Sequence, residues 1–249
     1  MAFLKCADKT LDLSTTQVMG ILNVTPDSFS DGGNLFEHQK IDLDKLLYSA
    51  QQMVTDGATI LDIGGESTRP DAKPVTIEQE MDRVLPALEL LRNRLDVVLS
   101  VDTSSAALMS EAAKLGAGLI NDVRALEAQG ALDAVARSGL PVCLMHMQGN
   151  PLTMQLAPKY DNVTTQVMEY LRSRAQACEL KGIKPESILL DPGFGFGKTL
   201  EQNLTLHGAM GALASLGYPL LIGTSRKSMF GQLLGRDVSD RLAGSLASV

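Results

Sequence analysis

Ile60-Leu61-Asp62-Ile63-Gly64-Gly65-Glu66-Ser67-Thr68-Arg69-Pro70 begins as a short apolar run and ends as a polar loop. The run reads as a buried strand, yet it contains Asp62. A carboxylate there is costly unless it is paired or hydrogen-bonded. Two glycines then break the strand, and Arg69-Pro70 closes the loop. The arrangement recurs along the chain. Asn23, Asp62, Asp102, Asn121 and Asp191 each sit at or near the end of an apolar run. One polar site fed by several strand ends accounts for all five.

On either side of that stretch, strand and helix patterns alternate. A short apolar–polar alternation over residues 2–13 predicts a hairpin capping one end. Apolar runs at 18–22, 60–63, 97–101, 118–120, 140–145, 187–190 and 219–222 predict seven strands. Between them lie helix patterns. Leu43, Leu46, Leu47, Ala50 and Val54 share one helical face, with Gly57 as the stop. Thr76 and Gln79 have the spacing of a capping box, and Pro86 predicts a kink in the helix they open. Further helices are predicted over 128–138, 161–181 and up to Leu216, with a last one from Ser228. Continuous apolar strands alternating with helices indicate parallel, doubly covered strands. Eight such units close a TIM-type (β/α)8 barrel. Seven are legible before Val249, so the expected fold is a single barrel domain over 1–249, C-terminally truncated with its eighth strand missing.

The 249 residues suit one such barrel. The hydrophobic and charged fractions, 45% and 20%, are those of a soluble globular protein. Aromatics at 4% with no Trp argue against a base-stacking platform, and a net charge of −7 against a polyanion surface. No nucleic-acid or membrane partner is therefore expected. Cys6, Cys143 and Cys178 include no CxxC pair and read as reduced thiols of a cytoplasmic protein. No secretory leader pattern is present.

In a barrel, the strand-end residues converge on one face. Asn23, Asp62, Asp102, Asn121, Asp191 and Lys227 would form a directional hydrogen-bonding set there. Such a set suits a flat polar heterocycle with amidine-like N–H donors. Taken singly, each position could equally be a structural loop cap. Arg69 and Arg226-Lys227 form a second, cationic group suited to phosphate at late barrel loops. Gly193-Phe194-Gly195-Phe196-Gly197-Lys198-Thr199 resembles a phosphate-binding P-loop. Only three residues separate Gly193 from Gly197, however, where that motif has four. It is read instead as a glycine turn flanking the pocket, with Phe196 as an apolar wall. His146 at a strand end is as consistent with packing as with ligand contact, and the three histidines are too dispersed for zinc. No nucleophile can be assigned, which points to leaving-group stabilisation and positioning.

Four stretches carry a resemblance: Asn23–Gly33, Asp62–Pro70, Asp191–Phe196 and Ser225–Ser228. Together, in this order, they resemble the bacterial dihydropteroate synthase family across essentially the whole chain. That resemblance implies a homodimeric barrel of folate biosynthesis and a sulfonamide target. The implied reaction condenses 6-hydroxymethyl-7,8-dihydropterin pyrophosphate with p-aminobenzoate, with pyrophosphate leaving first. It implies catalytic roles for Asp31, Arg69 and Lys227. Pterin contacts fall to Asp62, Thr68, Asp102, Asn121, Met145, Asp191 and Lys227. Contacts to p-aminobenzoate fall to Phe29, Thr68, Arg69, Pro70, Phe196 and Ser225. Asn23 would meet Mg2+, the implied cofactor. The family's Arg-x-His pair on the last strand has no counterpart before Val249, so weak pyrophosphate binding is expected. A methyltetrahydrofolate-dependent methyltransferase would share the carboxylate–amide pocket, but it has no evident use for the Ser28–Asp31 loop or Arg69. A non-catalytic pterin-binding relative is the third reading.

Overall fold

Strands β1 (Phe3–Cys6) and β2 (Lys9–Asp12) pair antiparallel into the expected hairpin, with Ala7 in the left-handed conformation at its turn. The structure, a computed structural model, describes residues 3–25, 36–37, 40–67, 75–149, 153–154 and 157–249. The hairpin precedes β3 (Met19–Asn23), and a two-residue pairing of β4 (Phe36–Glu37) with β5 (Lys40–Ile41) precedes helix α1 (Leu43–Thr55). From there strand and helix alternate: β6 (Ile60–Gly64), α2 (Ile77–Arg94), β7 (Val98–Asp102), α3 (Ala106–Lys114), β8 (Leu119–Asp122), α4 (Ala131–Ser138), β9 (Val142–Met145), α5 (Val163–Leu180) and β10 (Ile188–Asp191). Helices α6 (Leu200–Gly208), α7 (Met210–Ala214), α8 (Ser228–Leu234) and α9 (Leu242–Ala247) complete the chain.

The helix starts follow local chemistry. Thr76 accepts from the Gln79 N–H while the Gln79 side chain accepts from the Thr76 N–H, and Thr199 with Gln202 repeats the box at α6. Helix α2 continues through Pro86. Helix α4 starts at Ala131, not 128, because Gly130 takes a left-handed conformation just before it.

Strands β3, β6, β7, β8, β9 and β10 form one parallel sheet in chain order, the order of a barrel wall. The seventh expected strand shrinks to one parallel bridge, Leu190 with Leu220. Leu190 N–H donates to Pro219 O at 2.9 Å and Leu221 N–H to Leu190 O at 3.0 Å. Its pairing comes from one side, so no ladder extends along it. Among the described residues the sheet is open between β3 and 219–222, and Ile21 on the β3 edge is 44% exposed.

Both faces of the strands are apolar, but the two faces differ. Alternate residues Leu22, Leu61, Ile63, Leu99, Val101, Ile120 and Leu144 pack outward against the helices. The intervening set Ile60, Val98, Leu119, Cys143 and Leu189 packs inward with Leu4, Cys6 and Leu11 of the hairpin. The hairpin is therefore the floor plug of the barrel interior. Above that floor the inward series turns polar, and the site begins there.

Candidate active site

Register fixes the layout. Asn23, Gly64, Asp102 and Asn121 are successive cross-strand partners on four neighbouring strands, so they share one layer. Cys143 continues it on β9. Asp62 lies two residues below Gly64, opposite Ser100. Asp191 pairs with Met145 one inward step above Cys143. Five of the sequence-predicted pterin residues, Asp62, Asp102, Asn121, Met145 and Asp191, thus face one interior. Asn23 Oδ1 and Asp102 Oδ2 both approach the bare face of Gly64, 3.7 and 3.6 Å from where a Cβ would stand. Gly65 next to it is a requirement of packing: a Cβ there would meet Val84 at 2.7 Å.

The carboxylates are crowded and dry. Asp62 Oδ2 accepts from the Asn121 amide at 2.9 Å. Asp62 Oδ1 and the neighbouring Ser100 Oγ are buried without a hydrogen-bond partner among the described residues. Burial raises the Asp62 carboxyl above its ordinary value, against the lowering pull of the Ser100 hydroxyl, which stands close without forming a well-aligned bond, and of the Asn121 amide. Asp102 is raised well above the carboxylate range by burial and then by the charge of Asp62. Burial also raises Asp191, whose Oδ1 accepts from Gly193 N–H at 2.7 Å and which has Lys227 and Lys198 nearby.

Lys227, just before α8, is desolvated and held below an ordinary lysine, with Asp191 as its countercharge. Its ammonium stands 4.3 Å from the centroid of the Phe196 ring. Asp191, expected to contact pterin, and Phe196, expected to contact p-aminobenzoate, are thus both neighbours of Lys227. Ser225 and Arg226 are exposed on the loop before Lys227. Arg226 is left-handed (φ 54°), and helix α9 braces it: its N–H donates to Ser245 Oγ at 2.9 Å and its carbonyl accepts from Arg241 Nη1 at 3.2 Å. The expected Arg226-Lys227 pair is thus divided, one side chain inward and one on the surface. Phe29, Asp31, Thr68, Arg69 and Pro70 lie outside the described residues.

The glycine turn after β10 is not a phosphate cradle. Lys198 is buried and donates to the Gly193 carbonyl at 2.8 Å and the Phe196 carbonyl at 3.1 Å. His146 packs edge-on against Tyr170, its pKa lowered to about 3 by burial and by Lys198, so it is neutral. Sequence reading assigned Lys198 no role, and Asp122 none apart from Asn121. Asp122 is a loop anchor: it accepts from Ser104 Oγ at 2.5 Å and from the N–H groups of Arg124 and Leu126 at 2.9 and 2.8 Å. A lysine directly after three alternating glycines was the available signal for Lys198.

The fold and site thus define a parallel barrel wall with a buried carboxylate–amide layer at its strand ends. Residues 19–249 match the family described as pterin binding enzyme, and the chain belongs to that family. Within it the chain is similar to dihydropteroate synthases. It is 54% identical to that of Escherichia coli K12 over 238 residues, covering 96% of this chain and 83% of the relative. It is 50% identical to that of Haemophilus influenzae over 240 residues, covering 96% and 86%. Solved structures agree. The Yersinia pestis dihydropteroate synthase in a sulfonamide drug complex superposes with a TM-score of 0.94 at 52% identity, covering 99% of this chain and 88% of that one. The Xanthomonas albilineans enzyme with 4-aminobenzoic acid gives 0.90 at 45% identity, covering 99% and 87%. The chain is an enzyme, and its activity is that of a dihydropteroate synthase.

Proposed function

We propose that the chain joins 6-hydroxymethyl-7,8-dihydropterin pyrophosphate to p-aminobenzoate in two stages. First the bond from the pterin methylene to the pyrophosphate oxygen breaks, and the electron pair leaves with pyrophosphate. Then the arylamine lone pair forms the new C–N bond, and one proton is released. Sulfonamides would compete for the amine side.

The observation that carries this reading is the orphaned Asp62 Oδ1 beside Asn121 and Asp102. A buried acceptor without a partner is expensive, and a ligand with adjacent N–H donors would satisfy it. Asp191 supplies a further acceptor, and Lys227 a donor for acceptor atoms on the same ring. The cation left after departure of pyrophosphate would sit among these carboxylates, which stabilise positive charge. A covalent route has little support. Cys143, the thiol in the same layer, is pushed well above its ordinary pKa by burial and by the surrounding aspartates, so it is no thiolate.

Mg2+ fits this site only as a lightly held ion. Asn23 offers one neutral oxygen, and the described residues contain no group of three or more His, Cys, Asp or Glu able to hold a metal. Mg2+ commonly relies on substrate phosphates and water for most of its ligands, and it would supply charge neutralisation for the leaving group. The same reading gives Asp31 and Arg69 catalytic roles, and Phe29, Thr68, Pro70, Phe196 and Ser225 the p-aminobenzoate side.

A homodimer is part of the reading, supported by exposed Leu233, Leu234, Leu242 and Leu246 on α8 and α9. A cytoplasmic setting is supported by three free, buried cysteines. No described helix is long and apolar enough to cross a membrane.

The test is simultaneous measurement of pyrophosphate and dihydropteroate with Mg2+, with and without p-aminobenzoate. One-to-one formation that requires the amine is the expected result. Pterin binding without amine-dependent turnover would defeat the reading.

A further inference from the structure

Lys198 is buried, yet every group its Nζ touches is uncharged. The Gly193 carbonyl lies at 2.8 Å, His146 Nδ1 at 3.0 Å, the Phe196 carbonyl at 3.1 Å and the His146 carbonyl at 3.4 Å. An ammonium has three donors and no acceptor, so the three nearest groups take one proton each and His146 Nδ1 is the acceptor. These groups belong to two segments. His146 directly follows β9, while Gly193 to Phe196 form the turn after β10. The segments are in tight contact there, since a Cβ on Gly193 would stand 2.0 Å from the His146 carbonyl oxygen. The outer side of the turn is held by neutral bonds. Gly195 N–H donates to Asn203 Oδ1 at 2.8 Å, and Tyr160 OH donates to the Gly197 carbonyl at 2.8 Å. Phe196, carried at the middle of this turn, is the ring beneath Lys227.

We infer that Lys198 is a positioning residue for the p-aminobenzoate side of the site. Its three-donor ammonium latches the turn after β10 to the end of β9 and so sets where Phe196 stands against Lys227. The substrate assignment rests on the function proposed above; the latch itself rests on the contacts. A neutral amine keeps two N–H groups and turns its lone pair toward the third acceptor, so loss of the proton loosens the latch. Burial lowers Lys198 to about 7, where this change falls within the working range of an enzyme. The titratable groups facing it are His146 just after β9, Asp191 from β10 and Lys227 from the loop before α8, with Tyr160 and Tyr170 against the His146 ring. Lys198 makes no hydrogen bond to Asp191 among the described residues and acts on it through charge alone.

The experiment compares Lys198→Met with wild type in steady-state assays and pterin pyrophosphate binding from pH 6 to 9. The expected result is a KM for p-aminobenzoate raised about tenfold, with the pterin Kd changed by less than about threefold. The wild-type KM for the amine rises with pH, and the variant lacks that limb. The variant retains the titrations of Asp191 and Lys227, so the difference between profiles belongs to Lys198. An unchanged amine KM, or parallel loss on both substrates, overturns the inference. If Lys198→Met does not fold, Tyr160→Phe decides, because it releases the same turn from outside. A rise of about threefold in amine KM supports the latch, and an unmoved value overturns it. A wild type that makes no dihydropteroate would instead defeat the functional reading, which separates the two failures.

Discussion

The Asn121 amide donates to Asp62 Oδ2 at 2.9 Å across β7, the strand that separates theirs. Among the described residues it is the well-formed side-chain hydrogen bond on the Asp62 carboxylate, and Oδ1 makes none. Asn121→Ala removes it and leaves the acid without a well-formed bond. A hydrogen bond to a charged group contributes about 1.5–3 kcal/mol, so pterin pyrophosphate should bind roughly 10- to 150-fold more weakly. Calorimetric titration checks this, and a Kd within about twofold of wild type would count against Asn121 as a site residue.

Asp102→Asn should make the empty protein more stable at neutral pH while impairing pterin binding. Asp102 is raised in the folded state by burial and by Asp62. Its stabilising contribution is therefore complete below the ordinary carboxylate value of 3.8 and is lost as pH rises through the folded pKa. Each pKa unit of difference corresponds to about 1.4 kcal/mol. Melting curves of both proteins should nearly coincide at acidic pH and separate in favour of the variant as pH rises. A separation of opposite sign contradicts the crowded-carboxylate account.

Phe196→Ala removes the ring under Lys227. The loss is about 0.5–2 kcal/mol of cation–π attraction together with an apolar wall. The KM for p-aminobenzoate should rise at least about fivefold, and Phe196→Leu should fall between the variant and wild type. Equal effects of the two substitutions would mean that the ring face contributes nothing beyond its bulk.

Gly193→Ala should be far more damaging than Gly217→Ala, although both positions are left-handed (φ 69° and 86°). A Cβ at Gly193 would stand 2.0 Å from the His146 carbonyl oxygen, whereas at Gly217 nothing lies within 4 Å. The backbone term alone is about 1–2 kcal/mol and applies to both. Denaturant unfolding should show about that loss for Gly217→Ala and a clearly larger one for Gly193→Ala. Similar losses would indicate that the turn moves aside freely.

Much of this was legible in the sequence because buried parallel strands are long apolar runs, and an acid inside one is conspicuous. Asp62, Asp102, Asn121 and Asp191 were found that way, and the structure brings them to one interior. A capping box fixed the start of α2 from Thr76 and Gln79 alone, whereas the Thr199–Gln202 box at α6 went unread. The division of the strands into a helix-facing series and a floor-facing series was not legible, because both are apolar and only register separates them. Nor could sequence show that residues 219–222 pair on one side alone. The role of Lys198 was hidden for a different reason: its partners are backbone carbonyls, and these leave no trace in residue identity. Asp122 shows the converse, an acid beside the site whose three partners make it a loop anchor.

The raised carboxylates also change what happens when the pocket fills. Empty, the Asp62–Asp102 pair shares crowding that favours holding a proton. A ligand that donates N–H bonds favours the ionised form instead. Binding should therefore favour proton release to the solvent, with the pocket acting as an acid discharged by its own ligand. The heat of pterin binding should then vary with the ionisation enthalpy of the buffer, and its affinity should strengthen as the medium becomes less acidic.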